Sequence, residues 1–355
     1  MSRGDAQRTG QSPYLVPEQM PKEVWRFITN GAVVAAPTLA DDGTVLFTSH
    51  DRNVYAVGKD GTLLWKYRTG DLVWSSAALL KSGLVLVGSD DDHLYALQRN
   101  DGSKAWAVSP GSCRWAVGRG PEAARCDIED VTLGPDGTIY AGGDGIYALS
   151  PDGQPRWRFI PEPDKERKRH CSTAPALGLD GSVYAVCSDL LYALNPDGSK
   201  RWQFEGPGEF FSAPAVGSDG TLYVGEEAHR LIALDPQGQV RFSFNTGGAV
   251  RAPPAVRKDG LILFGAYDGL LYALRPDGTL AWSFPAADSI HSAPLVDKNG
   301  AVLFGSRDNR LYALSPSGQP LWSVLFDDDV DGSPTLGPDG TIYVGSDDHT
   351  LRALR

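Results

Sequence analysis

One motif recurs through the whole chain and leaves few folds open to it. An apolar-Tyr-Ala-Leu segment is followed by an Asp/Asn-Gly turn and then an aromatic residue. The copies run from Val54-Tyr55-Ala56-Val57 to Trp65, from Leu94–Leu97 to Trp106, from Ile146–Leu149 to Trp157 and from Leu191–Leu194 to Trp202. They continue from Leu231–Leu234 to Phe242, from Leu271–Leu274 to Trp282 and from Leu311–Leu314 to Trp322. An eighth copy, Leu351–Leu354, has no aromatic after it, and the missing piece stands at the other end as Glu23-Val24-Trp25-Arg26-Phe27. From Trp25 onward the aromatic spacings are 40, 41, 51, 45, 40, 40 and 40.

Each period has room for four short strands with period-2 alternation and Gly-rich turns, as at 252–256, 261–264, 270–274 and 280–284. Four strands in about 40–50 residues describe a propeller blade. The pattern predicts an all-β, eight-bladed propeller of four-stranded antiparallel blades. The Trp25 strand would supply the outer strand of the last blade, closing the ring and removing the edges of a linear array. The boundaries expected are a loose tail over 1–20 and a single propeller over 21–355. The length of 355 residues alone would also have allowed two domains. The 41 Gly and 25 Pro become turn punctuation, and 41% hydrophobic residues suffice for a core.

The net charge of −11 counts against nucleic acid as a partner. The first twenty residues lack the 7–15-residue apolar core of a secretory signal, and no run approaches a membrane span. The chain as it stands therefore reads as cytoplasmic, or as periplasmic or extracellular if a leader was removed, and as a monomer.

The unit from Leu191 to Trp202, with Ser212-Ala213-Pro214 and Asp219 to Tyr223, resembles the PQQ-like (pyrroloquinoline quinone) repeat family. The resemblance spans nearly all of 21–355 and implies the same propeller. The quinone-dependent dehydrogenases of that family carry a vicinal Cys-Cys pair and calcium-binding acids at the channel mouth. Other members, including the lipoprotein component of the outer-membrane barrel-assembly machinery, carry no cofactor, and this chain, without adjacent cysteines, resembles those more. Fold alone does not decide between them.

Subtracting repeat-register residues separates scaffold from site. The aromatic of each period, the Tyr of each Tyr-Ala-Leu and the Asp-Gly turns read as structure. Every His and Cys maps to one face, which holds the second-to-third-strand turns and the links between blades. Two links are long, 107–128 and 158–171, and long loops on a rigid scaffold favour binding. They contribute Trp115 and His170 as candidates. Aligning the first strands on their proline gives a ring at the channel mouth, three positions earlier, of Val34, Trp74, Ile128, Ser172, Phe211, Arg251, His291 and Asp331. The next position gives Ala35, Ser75, Glu129, Thr173, Ser212, Ala252, Ser292 and Gly332, and one of the two rings should line the mouth. From these rings the ligand-binding candidates are Trp74, Glu129, Phe211, Arg251, His291 and Asp331.

Arg251, His291 and Asp331 are the candidates for cofactor-free chemistry, with His291 a general base oriented by Asp331. Asp327, Asp329 and Asp331 match the start of a calcium loop, but its twelfth position is Pro338. Cys113 with Cys126, and Cys171 with Cys187, could each form a disulfide; no Cys-x-x-Cys spacing points to zinc. Phosphate-loop, dinucleotide, nucleophile-elbow and metalloprotease motifs do not occur. The leading expectation is a non-catalytic scaffold, without cofactor, binding a protein or small ligand on the loop-rich face. The alternative is a channel-mouth enzyme, either quinone-dependent with calcium or cofactor-free.

Overall fold

The computed structural model describes residues 5–109, 128, 130–162, 170–171 and 173–355. These contain eight four-stranded antiparallel sheets and no helix. Seven sheets are formed by consecutive strands, at 38–68, 78–108, 132–159, 176–205, 215–245, 255–285 and 295–325; they are blades 1 to 7. Blade 8 takes its three inner strands from 335–354 and its outer strand from Glu23–Ile28, which pairs antiparallel with Thr350–Leu354. The ring closes as the repeat predicts.

The first strand of each blade is only two residues long, as in Thr38–Leu39, while the second and third are buried on both sides, as in Val45–Ser49 and Asn53–Val57. A blade therefore cannot bury its own apolar surface, and the core is divided into eight clusters, one at each junction between neighbours. The junction of blades 6 and 7, for example, joins Leu263, Leu271 and Ile290 with Val302, Phe304 and Leu314.

The aromatic residue of each period locks one blade to the next. The Trp25, Trp65, Trp157 and Trp202 indoles donate to the carbonyls of Lys59, Arg99, Pro196 and Pro236 in the following blade, at 2.6–2.9 Å. Each ring also covers a turn glycine there. A Cβ at Gly318 would stand 2.5 Å from Trp282, and its φ of 81° is already the left-handed region that glycine favours. The Tyr hydroxyls do a second linking task that the core reading missed. Tyr55, Tyr95, Tyr272 and Tyr312 donate to Asp51, Asp91, Asp268 and Asp308, and these carboxylates also accept a backbone N–H from the preceding inter-blade link. These four turn carboxylates are thus mortar between blades.

The expectation of a loose tail over 1–20 does not hold for its described part. Residues 5–17 run along the channel floor as an extended strap. Its carbonyls at Ala6, Gln7, Thr9 and Gly10 accept the N–H groups of Leu177, Val216, Val256 and Val296, the last residues of the inner strands of blades 4 to 7. Arg8, 2% exposed, reaches Asp130 at 3.3 Å. At the seam, the Trp322 indole has no following blade turn to meet and donates to the Pro17 carbonyl at 2.8 Å, while Val16 packs into the same cluster. The polar composition of the segment concealed this because the docking is made by its backbone.

Cys171 and Cys187 form a disulfide that ties the start of blade 4 to the end of its second strand. Cys113 and Cys126 lie outside the described residues, as do Trp115 and Glu129.

Gly318→Ala is expected to destabilise the fold by about 2 kcal/mol or more, through strain and collision with Trp282, read as a lower urea midpoint. Replacing Cys171 and Cys187 by Ser opens a loop of 16 residues. It is expected to cost about 2–3 kcal/mol in the same assay.

Candidate functional site

The inter-blade links bring each chain segment over the channel just before its two-residue inner strand. That geometry decides which of the two aligned rings faces the mouth. Trp74, Phe211 and Arg251 are exposed and His291 and Asp331 half-buried, whereas Ser75, Thr173, Ser212, Ala252 and Ser292 are buried between blades. Ile128, although in the first ring, is buried at 3% exposure.

A second ring interleaves with the first. It comes from the turn just after each second strand and includes His50, Asp90, Glu227, Tyr267, Arg307 and Asp347. His50, Glu227, Tyr267 and Arg307 each contact the first-ring residue 24 positions later, in the next blade. His50 packs on Trp74 with ring centroids 3.8 Å apart. Glu227 holds Arg251 in a two-pronged ion pair, with Nη2 to Oε2 at 3.0 Å. Tyr267 stacks on His291 at 4.1 Å and 9°, and its hydroxyl lies 3.3 Å from Nδ1. Arg307 binds Asp331 at 2.9 Å. Sequence reasoning missed this ring, although aligning the ends of the second strands in the same 40-residue register exposes it.

The pairs join into one arc over blades 5 to 8. The Arg251 guanidinium lies over Phe211 at 5.1 Å and over Tyr267 at 4.9 Å, so it is gripped between two aromatic faces as well as by Glu227. His291 Nδ1 stands 3.6 Å from Asp331, which is drawn closer to Arg307. Burial pushes the His291 imidazole down to about 4, with the pull of Asp331 too weak to offset it, so it is neutral at pH 7. Its Nε2 is shielded from solvent and has no hydrogen-bond partner among the described residues.

Trp74 stands apart from the arc, braced by His50 and by its indole N–H to Asp90 at 3.2 Å. His170 sits over blade 4, where its N–H donates to Ser188 Oγ at 3.3 Å, and burial lowers its imidazole. The other histidines of this face divide differently. His229 and His349 have φ of 61° and 65°, the same turn position as Arg52, Asp92 and Asn309, so they are hairpin residues.

The three carboxylates of the calcium-loop match do not converge. Asp327 accepts from Arg352 at 2.9 Å, while Asp329 and Asp331 both face Arg307. Among the described residues no group of three His, Cys, Asp or Glu is placed to hold a metal ion.

With the ring and its mouth in view, comparison with known proteins places the fold. The family model described as outer membrane protein assembly factor BamB matches residues 19–188, 142–240, 187–289 and 267–355. The chain belongs to this PQQ-like repeat family. No curated protein matches it in sequence. Among solved structures it is similar to BamB from Moraxella catarrhalis, at 16% identity and a TM-score of 0.74 over 95% of this chain and 100% of that one. The quinohemoprotein alcohol dehydrogenase from Comamonas testosteroni gives a TM-score of 0.80 at 16% identity, over 99% of this chain and 79% of that one. The computationally designed Ika8 protein gives 0.75 at 15% identity, over 94% and 99%. At such identities these likenesses speak for the fold.

Asp347 offers a pH test of the mouth. Desolvation, then the charges of Asp331, Asp329 and Asp328, push its carboxyl up to about 6, and Arg307 offsets this only in part. A carboxyl raised in the folded state binds protons that the unfolded chain releases. Its penalty on stability is therefore absent below about pH 4, grows through pH 6 and is full above it. Asp347→Asn is expected to raise the urea midpoint at pH 7.5, with the gain vanishing below pH 4.

Proposed function

We propose that the protein is a non-catalytic propeller scaffold that docks a protein partner on the link-bearing face, with Trp74, Phe211 and Arg251 as the anchor side chains. The observation that carries this reading is the pairing of exposure with rigidity at the mouth. Trp74 and Phe211 are 44% and 40% exposed, yet one is braced by His50 and Asp90 and the other lies against the clamped Arg251. Aromatic and Arg side chains already held in place lose little freedom on contact, and they dominate binding energy at protein interfaces. The rim adds Asp288, Asp308 and Asp327–Asp329, which suits a partner segment with basic residues around an apolar centre. Membership in a family whose model is named for an assembly factor supports a protein partner. The Cys171–Cys187 disulfide supports an oxidising compartment, periplasmic or extracellular.

The approach of His291 to Asp331 at 3.6 Å favours a second reading, a channel-mouth enzyme. Its geometry is poor for that purpose. The imidazole nitrogen that would take a proton is enclosed, and an imidazole near 4 is a weak base at neutral pH. A quinone bearing several carboxylates would need free cations and converging metal ligands. Arg251 and Arg307 are each committed to a carboxylate, and Asp327, Asp329 and Asp331 diverge, so the described residues do not fit that group.

Photo-crosslinking residues placed singly at 74, 211 and, as a control on an outer strand, 240 separate the readings. The scaffold reading expects a discrete polypeptide adduct from 74 and 211 and none from 240. Phe211→Ala should cut the adduct from 74 more than about tenfold with the melting temperature unchanged. Equal labelling from all three positions, or turnover and tryptophan quenching with pyrroloquinoline quinone and calcium, overturns it.

A further inference from the structure

The inner strand of every propeller blade is an edge strand, and its outward backbone groups face the channel. In this chain the hydrogen bonds of the floor are divided unevenly. In each blade the residue after the inner strand takes the ladder bond, as Gly178 does to Ser182 and Ala40 does to Thr44. The residue before it must then aim its N–H the other way, into the channel. In blades 4 to 7 that N–H belongs to Leu177, Val216, Val256 and Val296, and all four are satisfied by the strap.

The equivalent donors of blades 8, 1, 2 and 3 belong to Leu336, Leu39, Leu79 and Leu133. Their following residues, Gly337, Ala40, Leu80 and Gly134, take the ladder bonds in the same register. None of the four N–H groups has a hydrogen-bond partner among the described residues. The floor is also open there. A cavity of about 580 Å³ contains Leu39 and Leu336 beside the Gly10–Tyr14 end of the strap. A second, of about 1080 Å³, contains Leu79 and Leu133 beside its Ala6–Gln7 end. One half of the floor is thus a filled strand-addition site, and the other half repeats its donors with space in front of them.

We infer that the vacant half of the channel floor, formed by blades 8, 1, 2 and 3, is a binding site for an extended peptide that lies opposite the strap. The peptide's carbonyls accept the N–H groups of Leu336, Leu39, Leu79 and Leu133, as those of Ala6, Gln7, Thr9 and Gly10 do for the other blades. Main-chain pairing supplies the affinity, and the walls set the side chains that fit. Those walls are Pro37, Pro334 and Leu39 in one cavity and Leu79, Leu80 and Leu133 in the other, so the occupant is an extended segment of small and apolar residues. This site lies on the opposite end of the channel from the aromatic mouth, so it stands or falls independently of the docking proposed there.

The test uses the intact chain and a fluorescently labelled synthetic peptide with the sequence of residues 5–17, the segment that pairs with the equivalent donors of blades 4 to 7. The expected result is saturable binding by anisotropy, with at least tenfold slower amide exchange at Leu39, Leu79, Leu133 and Leu336 and no change at Leu177, Val216, Val256 and Val296. Leu39→Pro combined with Leu336→Pro removes two donors at positions whose N–H makes no ladder bond, and should weaken binding at least tenfold. Absence of saturable binding up to ~1 mM overturns the proposal. So does protection that appears at the blade 4 to 7 amides instead, which would mean the peptide only replaces the strap. Because exchange is read on the unaltered protein, a folding defect in the proline variant leaves the test decisive.

Discussion

No blade of this propeller can be stable alone, and everything else follows from that. Two-residue inner strands and doubly buried middle strands leave each sheet with two apolar faces and nothing of its own to cover them. The solution is eight shared cores, with reinforcement at three radii, the innermost confined to blades 4 to 7. Near the axis the strap bonds to the inner strands; at mid-radius the Tyr hydroxyl and the turn carboxylate bind the link; at the rim an indole meets the next blade's carbonyl and glycine. Burial of apolar surface supplies the bulk of the stabilisation, and the hydrogen bonds fix the angle at which neighbours meet.

The same sharing organises the mouth. Because the turn after a second strand and the following link come from adjacent blades, several polar residues there meet a partner across a junction. Glu227 with Arg251 and Arg307 with Asp331 are therefore interface contacts as much as site residues. Charges that would otherwise attract water or substrate are neutralised in pairs, and Tyr267 against His291 turns an imidazole into a packing element. What remains open to a partner is the aromatic surface of Trp74 and Phe211. Where pairing fails, as at Asp347 among three other carboxylates, the carboxyl holds its proton to a higher pH.

The fold was legible because repetition multiplies a weak signal. One Tyr-Ala-Leu segment predicts little, but eight copies in a 40-residue register specify strand number, blade number and the closing strand at Trp25. The first mouth ring was legible for the same reason. The second ring was not, because its residues, from His50 to Asp347, share no chemistry, and only their common place after the second strand betrays them. The strap was hidden for a different reason. Its bonds come from carbonyls at Ala6, Gln7, Thr9 and Gly10, which any side chain would supply, so polarity suggested solvent where backbone pairing prevails. The histidines misled in the opposite direction. His229 and His349 look like chemistry and are left-handed turn residues, set by the hairpin.

The closing strand also sets a timetable. Glu23–Ile28 leaves the ribosome well over 300 residues ahead of its partner, Thr350–Leu354. Synthesis of the intervening chain takes roughly 15–65 s at ordinary elongation rates. Through that interval the strand carrying Trp25 is an open edge, and blade 1 lacks the neighbour that covers Phe47 and Tyr55. The nascent propeller is therefore a widening arc with an unpaired lip at each end. Its hazard during biogenesis is capture of one arc's lip by another's, a ring closed between two chains instead of within one.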